Sequence, residues 1–388
     1  MDFDPLPFRS PLSQYERQAR DLLDGFRAGV PEAIQCARTR HPRFLRDDAA
    51  WLPKALTDAE VRNAAFEFAD AQLTIARRHD FRDWAALTAW VEEVTRDNSP
   101  VQRFETAVEA VIAGDIHTLE ECLRANPELV RARSTRVTHF DPPEHRATLL
   151  HYVAANGVEG YRQKTPANAV EVAKTLLRAG AEVDALADMY GGHYTTMSML
   201  VSSCHPANAG VQVALVGTLL DFGAAIEPRG SSTWGSPLMT ALAFGYQDTA
   251  QALVRRGARV GNIAAAAGLG STADAVRMLA TADAESRHRA MALAALHGHA
   301  DIVRLLLDAG EDPNRYNPDG NHSHSTPLHQ AALAGHEATV RVLVEGGANL
   351  DIRDRIHDGT PLDWAVYAGK AEVERYLRAH GSEPERVP

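Results

Sequence analysis

The sequence predicts an all-α solenoid of stacked helix pairs behind a helical N-terminal capping domain. Three observations carry this. A turn tetrapeptide recurs at a fixed period, a helix-ending glycine recurs at nearly the same period, and the composition favours helices over sheets. Of the 388 residues, 45% are hydrophobic but only 6% aromatic, so the core material is small and aliphatic, suited to thin helices that stack closely. The chain is also longer than one compact core usually grows, which favours an array built by repetition.

Taking the elements in order, residues 1–10 are expected to be a loose tail. Residues 11–100 form a helical domain with its own aromatic core, drawn from Trp51, Phe66, Phe68, Phe81, Trp84 and Trp90. Within it, Thr57 or Asp58 is placed to cap a helix running through Arg78. Asn98-Ser99-Pro100 reads as the boundary that follows. Residues 104–147 hold a degenerate helix pair and finger, with Gly114-Asp115 at the turn. From 148 to 381 the period is clear. Thr326-Pro327-Leu328-His329 recurs as Thr360-Pro361-Leu362-Asp363, and weaker forms begin at Thr148 and Ser236. Helices end at Gly180, Gly223, Gly257, Gly310, Gly347 and Gly381. The long interval between Gly257 and Gly310 implies two shortened units, and residues 382–388 form a second tail.

The stretch Thr326–Asp354, TPLHQAALAGHEATVRVLVEGGANLDIRD, resembles the ankyrin repeat family at nearly every position. Thr326 can cap the first helix and Pro327 suits its first position. Ala331, Ala332 and Ala334 keep that helix thin, Val340, Leu343 and Val344 form a buried stripe, and Gly347 stops the second helix. The segment around Ala71-Gln72-Leu73 and His79-Asp80-Phe81-Arg82-Asp83-Trp84 is similar to one that precedes such repeats in bacterial proteins. The resemblance implies that His151 and His329 hydrogen-bond to the neighbouring repeat, and that stacked fingers and first helices build a concave protein-binding face.

Candidate functional residues cluster where the period breaks, between Asp141 and His205. An insertion at 158–169 separates two helices that ordinarily need about two residues between them. Its 158–166 portion is polar, with Tyr161, Arg162, Gln163 and Lys164. With His145, Asn156, Tyr190, His193 and His205 it is expected to form either a partner patch, with Tyr161 and Arg162 as anchors, or a polar pocket serving an enzyme or a small-molecule sensor. Trp234, at a finger tip, is a further partner anchor.

Other functions are disfavoured. Forty Lys and Arg against 51 Asp and Glu leave a charge of −11, opposing nucleic-acid binding and favouring basic protein partners. No catalytic or nucleotide motif is present and no cofactor is expected. His322-Ser323-His324 supplies two imidazoles, too few for a metal site. Three dispersed cysteines, no export signal and no membrane-length apolar run lead to the expectation of a cytoplasmic protein.

Overall fold

The computed structural model describes residues 3–227 and 234–381. The expected C-terminal tail and part of the finger before Trp234 therefore lie outside the described residues. The chain divides into two compact units at Ala224 and Ala225, not at Asn98–Pro100. The reason is local. Ser99 caps the helix Pro100–Ala113 through Gln102 N–H, and this helix packs directly on Trp84–Thr95, so the expected boundary is a tight turn inside one core.

The first unit opens with helices Leu12–Ala28, Pro31–Arg40, Asp58–Asn63, Phe68–Arg78 and Trp84–Thr95. Their core includes Tyr15, Leu22, Phe26, Phe66, Ile75, Phe81 and Trp90. Phe26 and Phe66 stack with centroids 4.1 Å apart. Phe68 and Trp84 pack at the margin of that core, whereas Trp51, expected inside, is 71% exposed. Thr57 does cap a helix, but that helix ends at Asn63. A second capping box stops it from continuing to Arg78, because the Asp70 carboxylate accepts the Glu67 N–H at 2.8 Å and starts a new helix at Phe68. The expected tail is also placed: Phe3 is buried in the core and Asp4 pairs with Arg78 at 3.1 Å.

Three helix pairs complete this unit: Pro100–Ala113 with Ile116–Ala125, Leu149–Val153 with Ala169–Arg178, and Thr196–Leu200 with Gln212–Asp221. A hairpin of strands Ala187–Met189 and Gly192–Tyr194 forms one finger, with Asp188 opposite His193. The second unit holds five more pairs: Pro237–Ala243 with Gln247–Arg255, Ile263–Leu269 with Thr272–Leu279, Ala284–Leu296 with Ala300–Asp308, Pro327–Ala334 with Glu337–Glu345, and Pro361–Tyr367 with Ala371–Ala379. The interval between Gly257 and Gly310 thus contains two units, as its length implies. All six predicted terminal glycines adopt positive φ, between 86° and 103°.

Polar contacts fix each repeat to the next. In His329, Nδ1 accepts the Thr326 N–H at 3.2 Å, which leaves the proton on Nε2 to be donated to the Gly359 carbonyl at 3.1 Å. His151 does the same between Thr148 N–H and the Tyr194 carbonyl. At the opposite helix end, His336 Nε2 bonds the Leu296 carbonyl and His299 Nε2 bonds that of Gly268. These contacts are close because the interhelix glycines have no side chain. A Cβ on Gly298 would lie 2.7 Å from the His336 ring, and one on Gly335 would lie 2.8 Å from Lys370. In the last finger, Asp354 accepts N–H groups from Ile356, His357 and Gly359 and the Trp364 indole.

Two outcomes follow from this packing. Leu343 is fully buried between helices, so Leu343→Asp should cost about 4 kcal/mol or more in chemical denaturation, the cost of an unpaired buried charge. The histidines set the acid limit of stability. Burial pushes His151 and His329 down to about 4, against the 6.5 of an unperturbed imidazole. The unfolded chain then binds more protons between those values, so stability is full above pH 6.5 and is lost as pH falls toward 4. A His329→Gln variant should show a shallower loss over that window, by roughly 2 kcal/mol at about pH 4.5, measured by denaturant midpoints across pH.

Candidate functional site

The insertion folds inward. Glu159, with no exposed surface, anchors an ionic network that joins four separated segments. Its Oε1 accepts hydrogen bonds from His145 Nε2 and the Tyr152 hydroxyl, both at 2.9 Å, and lies 3.4 Å from Arg136 Nε. Its Oε2 lies 3.2 Å from Arg162 Nη1. Arg162 also pairs with Glu105, and with Glu109 at 2.8 Å. Burial alone would raise the Glu159 carboxyl, but the guanidinium groups of Arg136 and Arg162 hold it well below the usual carboxylate range. The backbone orients the His145 ring: Ala147 N–H donates to Nδ1 at 3.1 Å, so Nε2–H is the donor that faces Glu159.

The local chain explains this arrangement. Asn156 Oδ1 accepts the N–H groups of Val158 and Glu159, a turn that aims Glu159 inward. Arg136 donates to the His79 carbonyl at 2.9 Å and stacks over Phe81 and Trp90 at 4.2 and 4.6 Å. Trp90 in turn donates to Glu105 at 3.3 Å. The aromatic core of the N-terminal helices is therefore the wall against which the insertion's charges are neutralised.

Beside the network lies a cleft of about 670 Å³. Its basic lining comes from Arg40, Arg78, Arg162 and Lys164, its acidic lining from Asp4, Asp80 and Glu109. Residues 4–8 run along one side. Asp80 is almost fully buried, and burial raises its carboxyl to about 6 despite the lowering effect of Arg136.

The residues expected to form one site separate into two environments. His145, Asn156 and Arg162 work inside the fold, and Arg162, expected as an exposed anchor, is 1% exposed because three carboxylates surround it. Tyr161 and Lys164 border the cleft, with Gln163 half-buried between Arg162 and Lys164. Tyr190, His193 and His205 do not line it. Tyr190 is exposed and donates its hydroxyl to the Gly157 carbonyl, His193 pairs with Asp188 at 2.7 Å, and His205 lies in the short helix Cys204–Asn208. Trp234 is half-buried beneath the Arg289 guanidinium, 4.5 Å from its ring. His322 donates Nε2–H to the Ala243 carbonyl, and His324 faces Asp354 at 3.6 Å. Among the described residues, no three His, Cys, Asp or Glu side chains are placed to hold a metal, and no helix is long and apolar enough to cross a membrane.

Sequence reasoning missed Glu105, Glu109, Arg136 and Glu159. One signal existed: Glu105 sits among Val101, Val108 and Ile112 at helical spacing, a carboxylate on an apolar stripe.

Residues 293–387 match the family model for ankyrin repeats (3 copies). The chain is 37% identical over 101 residues to ankyrin repeat and SAM domain-containing protein 6 of Mus musculus, covering 26% of this chain and 11% of that protein. It is 29% identical over 222 residues to ankyrin repeat and KH domain-containing protein mask-1 of Caenorhabditis elegans, covering 55% of this chain and 8% of that one. A crystal structure of the human ASB11 ankyrin repeat domain aligns at 22% identity and a TM-score of 0.35, over 72% of this chain and 99% of that one. The chain therefore carries ankyrin repeats over residues 293–387. It spans only about a tenth of the length of these two relatives.

Removing Arg162 takes from Glu105, Glu109 and Glu159 the guanidinium they share, and leaves only Arg136, 3.4 Å away, beside Glu159. Arg162→Ala should therefore cost about 3–5 kcal/mol, whereas Lys164→Ala at the exposed rim should stay within about 0.5 kcal/mol. Equal midpoints for the two variants in urea denaturation would contradict the network.

Proposed function

We propose that the chain is a cytosolic protein-binding scaffold that recognises its partner along the C-terminal ends of the first helices in residues 237–379. The observation that carries this reading is where the apolar side chains stand. The first helices bury nearly all of theirs, yet Phe244, Val366 and Tyr367 at those ends are 49%, 43% and 89% exposed. Exposed aromatic and aliphatic groups on a packed helical surface are the anchors that interfaces use. Ankyrin repeats serve generally as protein-interaction modules, and the matched repeats include Val366 and Tyr367.

A formal charge of −11 favours a partner with a basic surface. In the other unit, Tyr190 and the imidazole of His193 stand exposed on the hairpin and offer a second contact surface. Three free cysteines, at 36, 122 and 204, suit a reducing compartment.

The test is a Phe244→Ala, Tyr367→Ala variant compared with the parent in cross-linked pull-down from a lysate of the source organism. The variant should keep its Tm within a few degrees and lose the proteins that the parent captures, because interface anchors are few. Retention of every captured protein would overturn this placement of the surface.

A further inference from the structure

We propose that the cleft beside the insertion binds a small organic carboxylate, gripped by Arg40 and Lys164, with Arg78 joining them when Asp4 is displaced.

The argument begins with charge. A chain with 51 acidic residues and a formal charge of −11 nonetheless directs four basic side chains and only three acidic ones at this cleft. Two of those acids are already engaged, Asp4 with Arg78 at 3.1 Å and Glu109 with Arg162 at 2.8 Å. The third, Asp80, is buried, accepts the Tyr161 N–H at 3.4 Å and feels the positive charges of Arg136 and Arg40. Among the described residues, the side chains of Arg40 and Lys164 make no hydrogen bond or ion pair, although the Arg40 charge acts on Asp80. The Nε–H of Arg162 is also buried without an acceptor. Unpaired cationic donors at a concave site are what an anion would satisfy.

The ligand's class follows from what occupies part of the cleft. The Asp4 carboxylate sits on Arg78, whose Nε also donates to the Phe3 carbonyl at 3.2 Å, while Gln18 holds the Asp4 carbonyl at 3.0 Å. The chain thus supplies its own carboxylate to a basic group of the site. Leu6, Phe8, Ile112 and Tyr161 complete the walls and can contact an organic body. A volume of about 670 Å³ matches a small metabolite.

The test uses the full chain and follows Tm and calorimetric binding with acetate, succinate, citrate and benzoate, with inorganic phosphate as the contrasting anion, each at about 10 mM. At least one carboxylate should raise Tm by a few degrees. An Arg40→Ala, Lys164→Ala variant, removing two side chains without partners, should fold normally by circular dichroism and bind that carboxylate at least tenfold more weakly. Asp4→Asn, which removes the internal competitor, should bind it several-fold more tightly. The proposal is overturned if no carboxylate shifts Tm, if the shift survives the double variant, or if phosphate binds and the carboxylates do not. Unchanged affinity in Asp4→Asn would overturn the displacement of Asp4.

Discussion

A carboxylate removed entirely from water is the constraint around which the N-terminal unit is arranged. Glu159 can remain ionised there only if positive charge and hydrogen-bond donors meet it from several directions. Arg136 and His145 of the finger, Tyr152 of the helix Leu149–Val153 and Arg162 of the insertion itself supply them. Satisfying one group therefore fixes the relative positions of the finger, the insertion and a short repeat helix. It also accounts for the lack of a division at Asn98–Pro100. Arg136 lies against aromatic rings of the N-terminal helices and Arg162 against acids of the first repeat helix, so neither part could be packed alone without stranding charge. The capping helices and the early repeats are one core for electrostatic as much as for hydrophobic reasons.

The second unit answers a similar demand with neutral groups. Its fingers leave backbone carbonyls that must be paired, and imidazoles meet them. The Thr-Pro-Leu-His turn contributes more than a helix start: the backbone amide of Thr326 occupies one ring nitrogen, so the other must donate. The same device at Thr148 and His151 shows that the irregular early repeats obey the same rule as the regular late ones.

The repeats were legible in the sequence because their determinants are short-range. A cap, a proline, an alanine-lined face and a terminal glycine lie within one unit of about 34 residues, and recurrence multiplies the signal. The site was not legible for the opposite reason. Arg162 finds Glu105 more than fifty positions away, and polar residues inside an insertion look the same whether they face solvent or a buried partner. Trp51 misled in the other direction, since aromatic type suggests burial without naming the surface that would cover it. The helix expected through Arg78 broke because Asp70 caps a new start, a competition between two local signals of similar strength.

The missing side chains at Gly298 and Gly335 leave seats that the following repeat fills, with His336 in one and Lys370 in the other. Gly270 is filled by His299 in the same way, so from Gly270 to Lys370 each repeat carries a socket for its successor and a plug for its predecessor, whereas Gly210 and Gly245 have no side chain within 4 Å. Changes of length that respect this pairing add or remove whole units and leave every socket filled. A partial deletion between Gly270 and Lys370 would instead present a plug to a surface with no matching gap, so this part of the array can grow or shrink only in steps of one repeat.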